Sequence, residues 1–357
     1  MIAGTGRTTR PFAVFALLVM LTLAACGSAG APSASQAGPR CTHVVMGSPV
    51  PASLSESPQR IVVGPDGNLW FVETAANAIG RITPSGCLSE FPVPTAGGSP
   101  YAIALGPDGD LWFTEFTGDN IGRITTRGVV TEFALSAQTG PRGIVAGPDG
   151  NLWFTEYVRV AIGRMNRKGQ LVGEYAYPHA ANHPEAIAAG PDGALWFTEA
   201  GSADEVGRIT QSGAMSHLPI AAMISTPTGG VGTITKGPDG AMWFTMPAVN
   251  AIGRITVNGT ASTYPVPTAA SNPEGITAGR DGNLWFTEAS GNRVARTTPS
   301  GVVTEFPLSA AHSAPAGITV GPSGDLWFTE SSGNRIARMT TAGALTEFAL
   351  PALQNQR

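Results

Sequence analysis

Lysine is almost missing from this chain: Lys168 and Lys236 are the only two among 357 residues. That leaves little scope for a Schiff-base enzyme. Charged residues make up 13% of the chain, no basic run occurs and the formal net charge is −4. The sequence therefore lacks the electrostatic footprint of a nucleic-acid binder. The three cysteines, Cys26, Cys41 and Cys87, form no Cys-x-x-Cys pair, and neither Gly-x-Ser-x-Gly nor His-Glu-x-x-His occurs. The common nucleophile-elbow, zincin and dithiol patterns are excluded.

The N-terminus has Arg7 and Arg10, an apolar run from Phe12 to Leu23, and then Leu23-Ala24-Ala25-Cys26. The run is too short to span a bilayer and has the form of a secretory h-region. Small residues before a cysteine resemble the lipobox of bacterial lipoproteins. The expectation is a signal peptide over 1–25, lipidation of Cys26, and an extracytoplasmic protein held on the cell membrane. Residues 26–40 are too poor in large apolar side chains to fold and read as a tether. Export implies an oxidising compartment, in which Cys41 and Cys87 either pair or stay free.

What the chain has is repetition. Tryptophan recurs at 70, 112, 153, 196, 243, 285 and 327, each time followed by Phe, at spacings of 42, 41, 43, 47, 42 and 42 residues. A fixed period near 42 marks a propeller or a solenoid. One unit, 273–308, divides into four short β-rich runs around Gly275–Ala278, Leu284–Thr287, Val294–Thr297 and Val303–Phe306, joined by Gly/Pro turns. Four antiparallel strands make a blade, and seven blades make an all-β, seven-bladed β-propeller. A solenoid needs atypical capping repeats, and both terminal copies here match the middle ones. The propeller is assigned to 41–357, with blade repeats over about 57–351, and Cys41–Met46 is expected to add an outer strand beside the last blade.

The first strand of each blade should line the central channel. The residue after its leading proline then faces one mouth: Tyr101, Arg142, Glu185, Glu274 and Ala316, with Gln59 as the counterpart in blade one. Antiparallel pairing brings the Glu that ends the Trp-Phe strand to the same end: Glu73, Glu115, Glu156, Glu199, Glu288 and Glu330, with Met246 in blade five. These carboxylates either form an acidic ring able to hold Mg²⁺ or Ca²⁺, or each pairs with an arginine of the IGR run, such as Arg123 or Arg254. The outer-strand glutamates, such as Glu132 and Glu347, offer those arginines a second partner. Tyr101 could stack on a ligand and Arg142 could grip an anion. Blade five is irregular, with Thr228–Gly232 inserted at the mouth and Met246-Pro247 following.

GPDGxLWFTE, then NxIGRIT, then TEF, repeated seven times over 57–351, resembles the streptogramin (virginiamycin B) lyase family. The resemblance implies opening of a cyclic ester by elimination with Mg²⁺, using a base for the proton α to the carbonyl and a metal for the enolate-like charge. It also implies working residues at the mouth of two late blades, a His in each, a Glu before the second His, and a Glu at the end of that blade's Trp-Phe strand. In this chain those positions are Glu274, Ala316, Ala314 and Glu330, so three of the four lack the required chemistry. Blade four carries the nearest substitute, His183-Pro184-Glu185 with Glu199 closing the blade and His179 in the preceding loop. The candidate site is therefore His183, Glu185, Glu199 and Glu330 as acid–base groups. Glu185, Glu199 and His179 are the candidate metal ligands, and Tyr101, Arg142, Glu156, Glu274 and Glu288 the candidate ligand contacts. His43, His217 and His312 stand apart from this cluster and read as structural or exposed. The expected function is binding of a small molecule, glycan or protein partner by a monomeric, membrane-anchored propeller. The alternative is a metal-dependent lyase or lactone/ester hydrolase.

Overall fold

The computed structural model describes residues 44–45, 57–178, 182–201, 205–220 and 230–350. The signal peptide, Cys26, the tether, Cys41, His43, His179 and Thr228–Gly229 lie outside these residues. Among those described, no helix is long and apolar enough to cross a membrane.

The described chain is a seven-bladed β-propeller. Each blade consists of four consecutive antiparallel strands, as in Pro100–Leu105, Leu111–Glu115, Asn120–Ile124 and Val130–Ala134 of blade two. One addition differs from the sequence reading. The short strand Val44–Val45 pairs in parallel with Leu88–Pro92, the outer strand of blade one, and so does not extend the last blade. Cys87 is disulfide-bonded.

Why this repeat folds into this blade follows from four side-chain devices. The Leu-Trp-Phe-Thr-Glu strand is buried along its whole length, so every residue type in it must be satisfied inside. The Trp indole donates to the Asp of the preceding Gly-x-Asp-Gly turn at 2.9–3.2 Å in blades one to six. That turn needs a left-handed residue, supplied for example by Gly109 at φ 84°. On one face the Trp stacks on the aromatic of the outer strand, as Trp112 does on Phe133 with ring centroids 5.4 Å apart. The Arg of the IGR run lies over the same rings, as Arg123 does at 5.5 Å from Trp112.

In blades two to seven the Thr of the central strand joins one blade to the next. Thr114 accepts the Ala102 N–H of its own blade at 3.1 Å and donates to the Arg142 carbonyl of blade three at 2.6 Å. A bulge after the leading proline frees that N–H from the ladder. The bond recurs around the ring, and Thr329 Oγ1 to the Gln59 carbonyl at 2.6 Å closes it. Blade one has Val72 instead, and there Thr74 donates to the Pro100 carbonyl at 2.7 Å.

The arginines of the IGR run do not serve the blade glutamates. In blades two to seven each reaches an Asp of the turn before its Trp strand, for example Arg164 to Asp149 at 2.8 Å and Arg254 to Asp239 at 2.6 Å. Register is the reason: Arg164 is opposite Trp153, at the far end of the strand from Glu156, which is opposite Ala161. Arg254 persists in blade five because Asp239 persists, whatever replaces the Glu.

Candidate functional site

The inner strands enclose a channel cavity of about 150 Å³, walled by one isoleucine per blade and by small residues. Arg60 is the exception. Its place is taken by Ala102, Gly143, Ala186, Thr233, Gly275 and Gly317 in the other blades. Among the described residues it is the one charged side chain lining that cavity, and its positive charge acts on Tyr101 and Glu274. Burial raises the Glu274 carboxyl above its usual range, and Arg60 partly offsets that.

Between blades two and four the post-proline residues meet. The Tyr101 hydroxyl donates to Glu185 Oε1 at 2.5 Å, and Arg142 forms an ion pair with the other oxygen of the same carboxylate. The Arg142 guanidinium lies 3.6 Å from the Tyr157 ring centroid, 4.9 Å from Phe116 and 5.1 Å from Tyr101. His183 stacks on Tyr157 at 4.6 Å, and its Nδ1 donates to the Tyr157 carbonyl at 2.7 Å, which sets the tautomer. Burial, and then the Glu185 charge, push the Tyr101 hydroxyl up to about 12. Arg142 is thus held by a carboxylate and three rings. It forms part of a fixed aromatic wall and is not poised to grip an incoming anion.

The glutamates ending the Trp strands lie at the predicted end of each blade, opposite the leading prolines. They are fully or almost fully buried, so they form no open acidic ring. Each of four faces the glutamate of its own outer strand: Glu115 with Glu132, Glu156 with Glu174, Glu288 with Glu305 and Glu330 with Glu347. Burial, reinforced by the neighbouring carboxylate, lifts Glu115 and Glu288 to about 7 and Glu156 to about 8. Glu330 is raised mainly by burial, and Arg335 at 3.4 Å counteracts. Blade five has lost both members, as Met246 and Thr263. Met246 packs into an apolar cluster with Trp196, Ile220, Val231 and Phe244.

Blade four is different again. Glu199 receives hydrogen bonds from the Tyr177 hydroxyl and from Asn182 Nδ2 at 3.0 Å. Tyr177 is 3.1 Å from His217 Nδ1, and burial followed by the Glu199 contact raises its hydroxyl above the ordinary tyrosine range. Glu199 and Glu185 sit beside each other in the sheet register but engage separate partners. The ligand atoms that come within 4.8 Å of Glu199 belong to Glu205 and His217. Arg60, Phe116, Tyr157, Tyr177, Asn182 and Glu205 escaped the sequence reading. Each was signalled by departure from its own repeat: the residue after the Trp-strand Glu, for example, is Thr, Ala, Pro or Ser in the other described blades.

The fold and site together define a seven-bladed propeller with a polar, aromatic-walled mouth at the head of its inner strands. The profile of the Virginiamycin B lyase family matches residues 45–171 and 135–356, and the chain belongs to that family. Virginiamycin B lyase from Staphylococcus aureus superimposes with a TM-score of 0.73 at 36% identity, covering 78% of this chain and 94% of that one. A catalytically inactive variant of the S. aureus lyase, in which one histidine is replaced by alanine, has been solved with quinupristin. It matches at TM-score 0.73 and 34% identity over 84% of this chain and 97% of that one. Virginiamycin B lyase from Bordetella bronchiseptica is 49% identical over 45 residues, 12% of this chain and 15% of that protein's length.

Proposed function

We propose that this chain is an exported, lipid-anchored member of the family that binds a ligand or partner at the propeller mouth without streptogramin lyase activity. One observation carries this reading. Six blades head the inner strand with a post-proline residue, Gln59, Tyr101, Arg142, Glu185, Glu274 and Ala316, blade five has Gly232 after Val231 at the equivalent place, and none of the seven is histidine. In the S. aureus variant described as catalytically inactive one histidine is replaced by alanine, and here neither of the two matching positions, Glu274 and Ala316, is histidine.

The Mg²⁺ that the family resemblance implies does not fit the residues present. Ala314 and Ala316 offer no donor atom, and Glu330 is buried beside Arg335. With neither a base nor a metal-bound oxyanion site at that place, no elimination step can be written through it. What the mouth offers is recognition. Tyr101, Phe116 and Tyr157 form an aromatic wall stiffened by Arg142 and Glu185, which suits stacking of a planar or sugar ring. Arg60 and Glu274 provide opposite charges in the channel.

Family membership favours a second reading, that a displaced site still opens cyclic esters. The test is to incubate the purified chain with a streptogramin B and Mg²⁺ and follow the antibiotic by chromatography and mass spectrometry. Unchanged antibiotic supports the binding reading. A product of unchanged mass means elimination, and a gain of one water means hydrolysis. Either product overturns it.

A further inference from the structure

In blade four the departures from the repeat converge on one place. Where the other blades carry Glu90, Glu132, Glu174, Thr263, Glu305 or Glu347 within the outer strand, blade four has His217. Where the third strand opens with Ala78, Asn120, Ala161, Ala251, Arg293 or Arg335, it has Glu205. Where the preceding blade contributes Val93, Leu135, Ile220, Val266, Leu308 or Leu350, it receives Tyr177. Glu199 itself has a counterpart glutamate in five other blades. Where blades two, three, six and seven hold two facing carboxyls, blade four holds two carboxylates, an imidazole and a phenol.

We infer that Glu199, Glu205 and His217 form a site for one divalent transition ion of the Zn²⁺ type, separate from the channel mouth. Their donor atoms all lie within 4.8 Å of one another. Tetrahedral bonds of roughly 2.0–2.2 Å need donors about 3.5 Å apart, so the trio must draw in by about an ångström. Glu205 can make that movement, because its side chain is 30% exposed, while His217 is 19% exposed and leaves a path from solvent. One nitrogen and two oxygens suit Zn²⁺ or Co²⁺, whereas Mg²⁺ prefers oxygen ligands and retained water. Outer-sphere partners are already in place. Tyr177 and Asn182 both donate to Glu199, which orients the one carboxylate that is wholly buried. Three protein ligands leave a fourth position for water or a substrate atom.

The test is to treat the purified full chain with chelator and titrate it with Co²⁺ and then Zn²⁺, reading visible absorption, stoichiometry and thermal midpoint. The expected result is one Co²⁺ per chain with tetrahedral-type bands, displacement by Zn²⁺ and a raised Tm. Glu205→Ala restores the residue found in three other blades, so it should keep the metal-free Tm while weakening binding at least tenfold. His217→Gln should weaken binding similarly and abolish the nitrogen-dependent bands. Absence of saturable one-to-one binding overturns the inference. So does binding of unaltered strength in either variant.

Discussion

Blades two and five have the same backbone and opposite interiors at the same place. In blade two Glu115 and Glu132 face each other under Asn120, which donates to Glu115 at 3.0 Å. In blade five Met246 and Thr263 occupy those positions, and Met246 joins an apolar cluster. Neither blade holds one member of the pair without the other. The buried glutamate is thus tolerable only with its partner or its hydrogen-bond donors, since an isolated buried carboxyl costs more than the blade can absorb. Blade four is the third outcome, in which the pocket has been rebuilt around His217 and Glu205.

The sharpest way to break the comparison is to mix the two interiors. Met246→Glu places a carboxyl against Ile220, Val231 and Phe244, and should destabilise by on the order of 2–4 kcal/mol. The double variant Met246→Glu/Thr263→Glu should recover part of that loss. Denaturant unfolding of the four-member cycle measures the coupling, and strict additivity would mean that the paired glutamates are independent.

A pH series tests the same pairs in the native ring. The folded values of Glu115, Glu156 and Glu288 are raised, to about 7, 8 and 7. Protonation therefore favours the folded state. Their contribution is complete below the unfolded carboxyl value and is lost as pH rises through the folded values. The Tm should fall between pH 5 and pH 9, by roughly 2–4 °C for each kcal/mol lost. Glu156→Gln, which makes one group permanently neutral, should flatten the fall above pH 7 and change little at pH 5. A Tm that climbs across this range would contradict the carboxyl-pair account.

A smaller effect lies in blade seven. Its turn reads GPSG, with Ser323 in place of Asp, and the Trp327 indole nitrogen is buried without a hydrogen-bond partner. Ser323→Asp should supply the acceptor used in the other six blades and stabilise by about 1 kcal/mol. Unfolding in denaturant reads the change directly.

The fold was legible because period, turn chemistry and strand length all agree across seven copies. Trp153, the Gly150 turn and Thr155 do the same work in blade three as their counterparts elsewhere. The site was only half legible. The reading placed Glu115, Glu156, Glu288 and Glu330 at the correct end of the blades, because register follows from antiparallel pairing. It missed their burial, because the loop covering each one comes from the preceding blade. Charge alone offers the arginines the blade glutamates or those of the outer strand as partners, whereas strand register gives them the turn aspartates. Tyr177 and Glu205 lie apart from His217 in sequence, Tyr177 just after the outer strand of blade three and Glu205 on the third strand of blade four. The pairing of Gly207 with His217 and of Glu205 with Pro219 puts Glu205 and His217 on adjacent strands.

Each blade is made of consecutive strands, and the strand Val44–Val45 stays on blade one, so among the described residues no backbone ladder crosses the seam between blades seven and one. That seam is held by the Thr329–Gln59 bond and by apolar contacts of the type found at the other boundaries. For the ring itself, the point at which the chain begins and ends is then arbitrary. A circular permutant opened in the loop between blades two and three, with residues 57 and 350 joined by a linker, should rebuild the same seven-bladed ring.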